Sequence, residues 1–389
     1  MIPINIYLDL SKAFDTLDHA ILLHKLQYYG IRDTELNIFK DYLSNRKQFV
    51  QLGNTSSCFS NIQTGVPQGS ILGPLLFIIY INDITSASTF FKTLMYADDT
   101  TLSRNLSADE FKNIDQLNHL LNSEIGNVST WLKVNKLSLN ANKSQLMLFH
   151  MPTRKLNSPQ LKIDNIPIKQ IDTFNFLGIT LQKDLKWETH INKIACKISK
   201  ILGIMNNLKH YVPSHILRTI YSSLILPHIN YGILLWGNNT QRIFKLQKRA
   251  VRIITLSKYI SHTEPLFKNL NLLKIEDIHT LNLYKFIYKL RNNTLPTYFK
   301  SITLTPFCDI HQHNTRNKHY LLTPKIKHEF AKRSIRYVIP NLINASPSEI
   351  IDKIQTHCPS GFAFYIKRFF ITNYENLCSV SNCYVCQRN

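Results

Sequence analysis

The stretch TLMYADDTTLS, residues 93–103, sets Asp98 and Asp99 side by side in a run of otherwise mostly apolar and β-favouring residues. Residues 93–96 and 100–103 read as two strands, with the aspartates in the tight turn between them, because Asp favours turns and accepts unusual backbone angles. Two carboxylates about 4 Å apart repel by roughly 4 kcal/mol at an effective dielectric near 20. A fold tolerates that where water screens the pair, where one acid takes a proton, or where a divalent cation lies between them. On its own, the pair also fits a hairpin tip in solvent.

A second acidic stretch weighs against that simpler reading. YLDLSKAFDTLDH, residues 7–19, places Asp9 at the end of an apolar strand. If the two strands lie side by side, Asp9 and Asp98 converge on an oxygen-only site of the kind Mg²⁺ prefers. Two such ions can run in-line phosphoryl chemistry, one activating the attacking hydroxyl and one steadying the leaving oxygen. Asp15 and Asp18 read instead as helix caps or local acceptors. A third stretch, TGVPQGSILGP at 64–74, forces a turn through Gly65, Pro67 and Gly69, and Gln68 offers both a donor and an acceptor.

Around these stretches the pattern is mixed α/β, then helical. Strands are expected at 4–10, 47–53, 145–149 and 174–181, and a hairpin around Asp164–Asn165 within 160–171. Helices are expected at 18–30, with Asp18 as N-cap and Gly30 as C-cap, at 35–45, and from the Gly/Pro turn onward through 84. A long amphipathic helix is expected over 107–137, with Leu117, Leu120, Leu121, Ile125, Val128 and Leu132 on one stripe. From 189 the clearest helices are 190–208, 214–236 and 241–256, while 305–325 reads as an irregular crossing.

The 389 residues carry 46 Lys+Arg against 25 Asp+Glu, a net charge of +21. Residues 1–240 hold 23 basic and 17 acidic side chains, whereas 241–389 hold 23 and 8. That asymmetry points to an anionic partner, nucleic acid above all. Seven scattered cysteines are no disulfide framework, so an intracellular, reducing compartment (nucleus or cytoplasm) is expected rather than secretion. Cys378, Cys383 and Cys386 fall one ligand short of a zinc site unless a residue such as His357 completes it, and free thiols are expected. The longest apolar run, 71–81, is too short to span a membrane.

Taken in order, DLSKAFDTLDH, TGVPQGSILGPLLFIIYINDI, YADDT, WLKVNKLSLNANKSQLMLF and FNFLGITLQKDLKW resemble the reverse transcriptases of non-LTR (LINE-type) retrotransposons. The resemblance is strong over residues 1–190 and weaker beyond, where KLQKRAVRIITL at 245–256 looks like the tail of such proteins. It implies an α+β fold: a right-hand polymerase palm over 1–185, with an antiparallel sheet and packed helices. A helical thumb-like region over 186–260 and a basic, mostly helical region over 261–389 would follow. In the family, fingers precede the first of these motifs, so the chain is expected to be the tail of a longer one.

The same resemblance implies RNA-directed DNA polymerase activity with two Mg²⁺ ions, Mn²⁺ being the alternative. Asp9, Asp98 and Asp99 would be the metal ligands, and Lys143 would neutralise or protonate the departing pyrophosphate. Phe14 would exclude a 2′-hydroxyl, Gln68 and Gly69 would line the nucleotide and template pocket, and Phe176, Leu177 and Gly178 would grip the primer. RNA template, DNA primer and dNTPs are the implied partners. The residues alone leave open a core role for Phe14, a solvated loop for Lys143 and a plain turn at Gly178. The alternative for the whole chain is an inactive, truncated remnant that binds RNA or primer–template.

Overall fold

Strand β1 (Ile2–Leu8) turns Ile2, Ile4, Ile6 and Leu8 to one side, where all four are buried. Pro3, Asn5 and Tyr7 take the other side, as the two-residue period of a strand requires. In the computed structural model, which describes residues 1–151, 153, 156–310, 320–326, 329–356 and 358–375, β1 is the middle of a five-stranded sheet. It pairs antiparallel with β3 (Asp99–Leu106) on one side and β4 (Gln145–Leu148) on the other. Strand β2 (Lys92–Tyr96) closes one edge antiparallel to β3, and β5 (Lys169–Gln170) closes the other edge parallel to β4. The sheet is therefore mixed rather than wholly antiparallel. The two residues of β5 follow a hairpin turned by Asp164 and Asn165, both at positive φ, which brings the chain back along β4.

Helices cover the apolar side of the sheet. α1 (His19–Tyr28) buries Leu22 and Leu26, and α2 (Asp33–Leu43) buries Leu43. α3 (Leu72–Ile81) buries Leu76, Phe77, Tyr80 and Ile81. α4 (Ile114–Val134) buries Leu117, Leu121, Ile125, Val128 and Leu132, and these join the sheet residues in one core. Leu120, expected on that stripe, is 40% exposed and lies off it. Asp18 caps α1 as expected, its carboxylate accepting from Ile21 N–H at 3.0 Å. That bond and the Lys136 ammonium hold the Asp18 carboxyl below the usual range, the lysine being the larger cause.

The strand expected over 47–53 is instead two short, exposed ladders, Lys47–Gln48 against Ser60–Asn61 and Gln51–Leu52 against Thr55–Ser56. A ribbon with no packed face gains little from burial, so its pairing stays local. Next to it, the 64–69 loop is stitched to residues 14–19. Val66 N–H donates to Phe14 O, Gly65 N–H to Leu17 O, and Thr64 Oγ1 to Asp15 O. Gly65 sits at φ +85°, and a Cβ there would lie 2.7 Å from the Asp15 backbone. β6 (Thr173–Phe176) and β7 (Ile179–Gln182) form a hairpin turned by Leu177 and Gly178, both at positive φ.

Two units divide the chain, Met1–Leu185 and Lys186–Asn389. The second opens on α5 (Glu188–Leu208). The single helix expected over 214–236 is broken into α6 (Ser214–Ile220), a π-helical turn (Tyr221–Ile225), α7 (Leu226–Asn230) and α8 (Ile233–Trp236). Pro227 supplies no N–H to the preceding turn, and Gly232 adopts φ +62°. α9 (Gln241–Ile254) inserts a polar side chain into its apolar stripe: Gln247 is fully buried. Its amide donates to Tyr221 Oη at 2.8 Å and Leu273 O at 2.9 Å, and its carbonyl accepts from Ile275 N–H at 2.9 Å. α10 (Glu264–Asn269), α11 (Ile275–Arg291), α12 (Ile335–Ala345), α13 (Ser348–Thr356) and α14 (Pro359–Thr372) complete the unit. The cysteines at 378, 383 and 386 and His357 lie outside the described residues, so the zinc question does too. No helix of the described residues is long and apolar enough to cross a membrane.

Two substitutions test these contacts. Gln247→Leu strands three buried partners and should cost about 3 kcal/mol, read as a fall in the urea midpoint without a change in slope. Gly65→Ala combines a positive φ with a backbone clash and should cost about 2 kcal/mol or more by the same measurement.

Candidate active site

The pairing of β1 with β3 decides which acids meet. Leu8 lies opposite Thr100 and Tyr7 opposite Thr101. Carried one step further, that register sets Asp9 across from Asp99, on the Tyr7–Thr101 side of the sheet and away from the helical core. Tyr96 pairs with Asp99 across β2 and β3, so Ala97 and Asp98 form the turn. The strained backbone falls on Ala97, at φ +51°, rather than on either aspartate.

The electrostatics agree with the register. Asp99 is held above the usual carboxylate range, by partial burial first and then by the charges of Asp98 and Asp9. Lys143 places its ammonium 3.8 Å from the Asp9 carboxylate. Both groups are well exposed, so the pair adds little to stability. Asp9, Asp98, Asp99 and Lys143 thus gather at one end of the sheet.

Behind them lies a residue that the sequence did not single out. Ser144 is fully buried, and its hydroxyl accepts from Asp9 N–H at 3.3 Å and donates to Asn140 O at 2.9 Å. Asn140 N–H donates in turn to Asp9 O at 2.8 Å. The 140–144 loop therefore fixes the backbone from which the Asp9 carboxylate projects. The adjacency of NANKS to a strand hinted at this support, but not at its partner.

The remaining expected residues form a second group. Phe14 is half-buried, its ring 4.6 Å from that of Phe77 between centroids. Gln68 donates from Nε2 to Asp15 Oδ1 at 2.8 Å, so Asp15 acts as an acceptor. Gly69 holds φ +87° with open space around it. A cavity of about 750 Å³ lies here, lined by Gln68 and Asp15 with the cations Lys12, Arg46 and Lys47. On β1, Tyr7 stacks on Phe174 at 3.7 Å and meets Phe176 at 6.1 Å between centroids. The Leu177–Gly178 turn belongs to that hairpin and packs through it onto the side of β1 that carries Asp9.

Among the described residues, no group of three or more His, Cys, Asp or Glu side chains can hold a metal ion unaided. The carboxylates nevertheless suit one. They are oxygen donors, and their mutual charge is felt at Asp99. Mg²⁺ is ordinarily held by one or two carboxylates, with waters and substrate phosphates completing its shell.

Residues 4–181 match the family described as reverse transcriptase (RNA-dependent DNA polymerase). Among curated proteins, the chain is similar to the probable RNA-directed DNA polymerase from transposon X-element of Drosophila melanogaster. They share 26% identity over 293 residues, 70% of this chain and 30% of the relative. The counterpart from transposon BS of the same organism is 27% identical over 311 residues, 74% and 33% of the two chains. The RNA-directed DNA polymerase from mobile element jockey, also of D. melanogaster, is 25% identical over 289 residues, 70% and 30%. This chain spans about a third of the length of these relatives. A solved structure of telomerase from Candida albicans, with a fragment of telomeric RNA, covers 71% of this chain and 46% of its own at 12% identity. Its TM-score of 0.31 is too low to bear on the fold. Over residues 4–181, then, the chain matches the reverse transcriptase family, and the curated proteins it is similar to are RNA-directed DNA polymerases of transposons and mobile elements.

Proposed function

We propose that this chain is an RNA-directed DNA polymerase that extends a primer 3′-hydroxyl with dNTPs on an RNA template. The observation that carries the reading is the β1–β3 register, which aligns Asp9 with Asp99 beside the Asp98 turn inside the family-matched segment. Residues 1–185 act as palm, 186–260 as thumb and 261–389 as a basic C-terminal region. RNA and dNTPs meet such a chain in the nucleus or cytoplasm.

Asp9 and Asp98, with Asp99 beside them, would hold the divalent cations, two Mg²⁺ or Mn²⁺ in their place. When bound, such ions lower the pKa of an attacking hydroxyl and offset phosphate charge. Lys143, whose ammonium lies 3.8 Å from the Asp9 carboxylate, would neutralise or protonate departing pyrophosphate. Phe14 crowds the sugar so that a 2′-hydroxyl finds neither room nor a hydrogen-bond partner. Gln68, with Gly69 next to it in the chain, lines the cavity in which Lys12, Arg46 and Lys47 offer charge to nucleotide or template phosphate. Phe176, Leu177 and Gly178 hold the primer end, supported by the stack of the hairpin on Tyr7.

One observation favours a second reading, in which the chain binds primer–template without extending it. Lys12, Arg46 and Lys47 line the cavity beside Gln68 and can hold phosphate without any bound metal.

Primer extension on poly(rA)–oligo(dT) with Mg²⁺ and dTTP separates the two. Under the leading reading the chain extends the primer, and Asp98→Asn lowers the rate at least about 100-fold. Extension that persists equally in Asp98→Asn rejects the site. Salt-sensitive binding with no extension identifies the second reading. With the active chain, Phe14→Ala should narrow the preference for dNTPs over rNTPs by about 10-fold or more, measured by competing the two in single-nucleotide addition.

A further inference from the structure

From Thr189 to Thr263 the sequence contains eleven lysines and arginines and not one aspartate or glutamate. The longest helices of this stretch are α5 and α9, which lie together and run the same way. Asn192, near the start of α5, hydrogen-bonds Arg242 at the start of α9. At the other end, Lys209 and His210 share a cavity with Arg249 and Arg252. Two helix C-termini, each the negative end of a dipole, therefore meet beside four basic or titratable side chains.

Compensation of the dipoles accounts for part of this. Arg252 lies in the last turn of α9, and its Nε donates to Ser261 O at 2.9 Å. It does not account for the shape. The cavity measures about 390 Å³, and no acid is among its lining residues. Leu256 and Tyr259 give it an apolar and aromatic wall. Tyr259 is 82% exposed, and the Arg252 guanidinium lies 5.8 Å from its ring centroid.

We propose that this pocket seats a single-stranded segment of nucleic acid. Lys209, Arg249 and Arg252 take successive backbone phosphates, and the exposed ring of Tyr259 takes the face of an adjoining base. Cations beside a stacking ring are the pairing by which single strands are held without sequence readout. An acid-free stretch of this length also suits a polymer of phosphates better than one headgroup at a membrane surface. The site belongs wholly to the second unit and stands whether or not the chain polymerises.

The test uses the full chain with a fluorescent 12-nucleotide oligouridylate, in EDTA and without dNTPs, over a salt series. Lys209→Gln with Arg249→Gln should weaken binding about 10-fold and reduce the slope of log K on log salt by about 1.4, two phosphate contacts on a single strand. The charge-matched pair Lys300→Gln with Lys325→Gln should stay within about 2-fold of the unaltered chain. Tyr259→Leu should weaken binding about 5-fold or more at unchanged slope. In the unaltered chain, a 5-iodouridine oligonucleotide should photocrosslink to the tryptic peptide Tyr259–Lys268. The proposal is overturned if both charge pairs weaken binding equally, or if that peptide carries no crosslink. It is also overturned, in favour of a membrane, if anionic vesicles need Lys209 and Arg249 while the oligonucleotide does not.

Discussion

Because Leu8 pairs with Thr100, the two-residue period of a strand leaves no choice over which acids face one another. A slip of one residue between β1 and β3 would turn Asp9 into the helical core and bring Ile2, Ile4 and Ile6 out to water. Burial of those three isoleucines, each at 1% exposure or less, is worth several kcal/mol and holds the register. Apolar packing on one side of the sheet thus sets the position of like charges on the other.

The polar supports are few and specific. Ser144 ties the Asp9 backbone to the 140–144 loop, and Gly65 lets the 64–69 loop touch residue 15. Gln247 performs a comparable task in the second unit, bonding Tyr221, Leu273 and Ile275 at once, and burial pushes the Tyr221 hydroxyl up to about 12. Ser144 and Gln247 are side chains bonded to backbone far away in sequence, whereas Gly65 acts by having no side chain to keep two stretches of backbone apart.

That distinction marks how far the sequence could be read. Asp9, Asp98 and Asp99 were legible because acids interrupt apolar strands, and the α4 stripe was legible because its period is local. The order of the motifs named the family before any geometry was known. Leu120 misled because a helix on a sheet buries a narrower arc than its apolar residues can cover. Pro227 and Gly232 broke a helix whose apolar pattern ran on regardless. The parallel edge strand of Lys169–Gln170 has too few residues to show a period. Ser144 and Asp15 depend on which loops come together, and no local pattern carries that.

The ribbon between Lys47 and Asn61 hangs from a closed base, where Lys47 pairs with Asn61 and Ile62 N–H donates to Arg46 O. Beyond that base its residues face solvent, and neither the loop at 64–69 nor the strand ends that bear the acids rest on its tip. Closing a longer loop costs only about 0.6 kcal/mol for each doubling of its length. Related chains can therefore gain or lose residues here over generations, leaving the spacing of the acids intact while this outgrowth changes size.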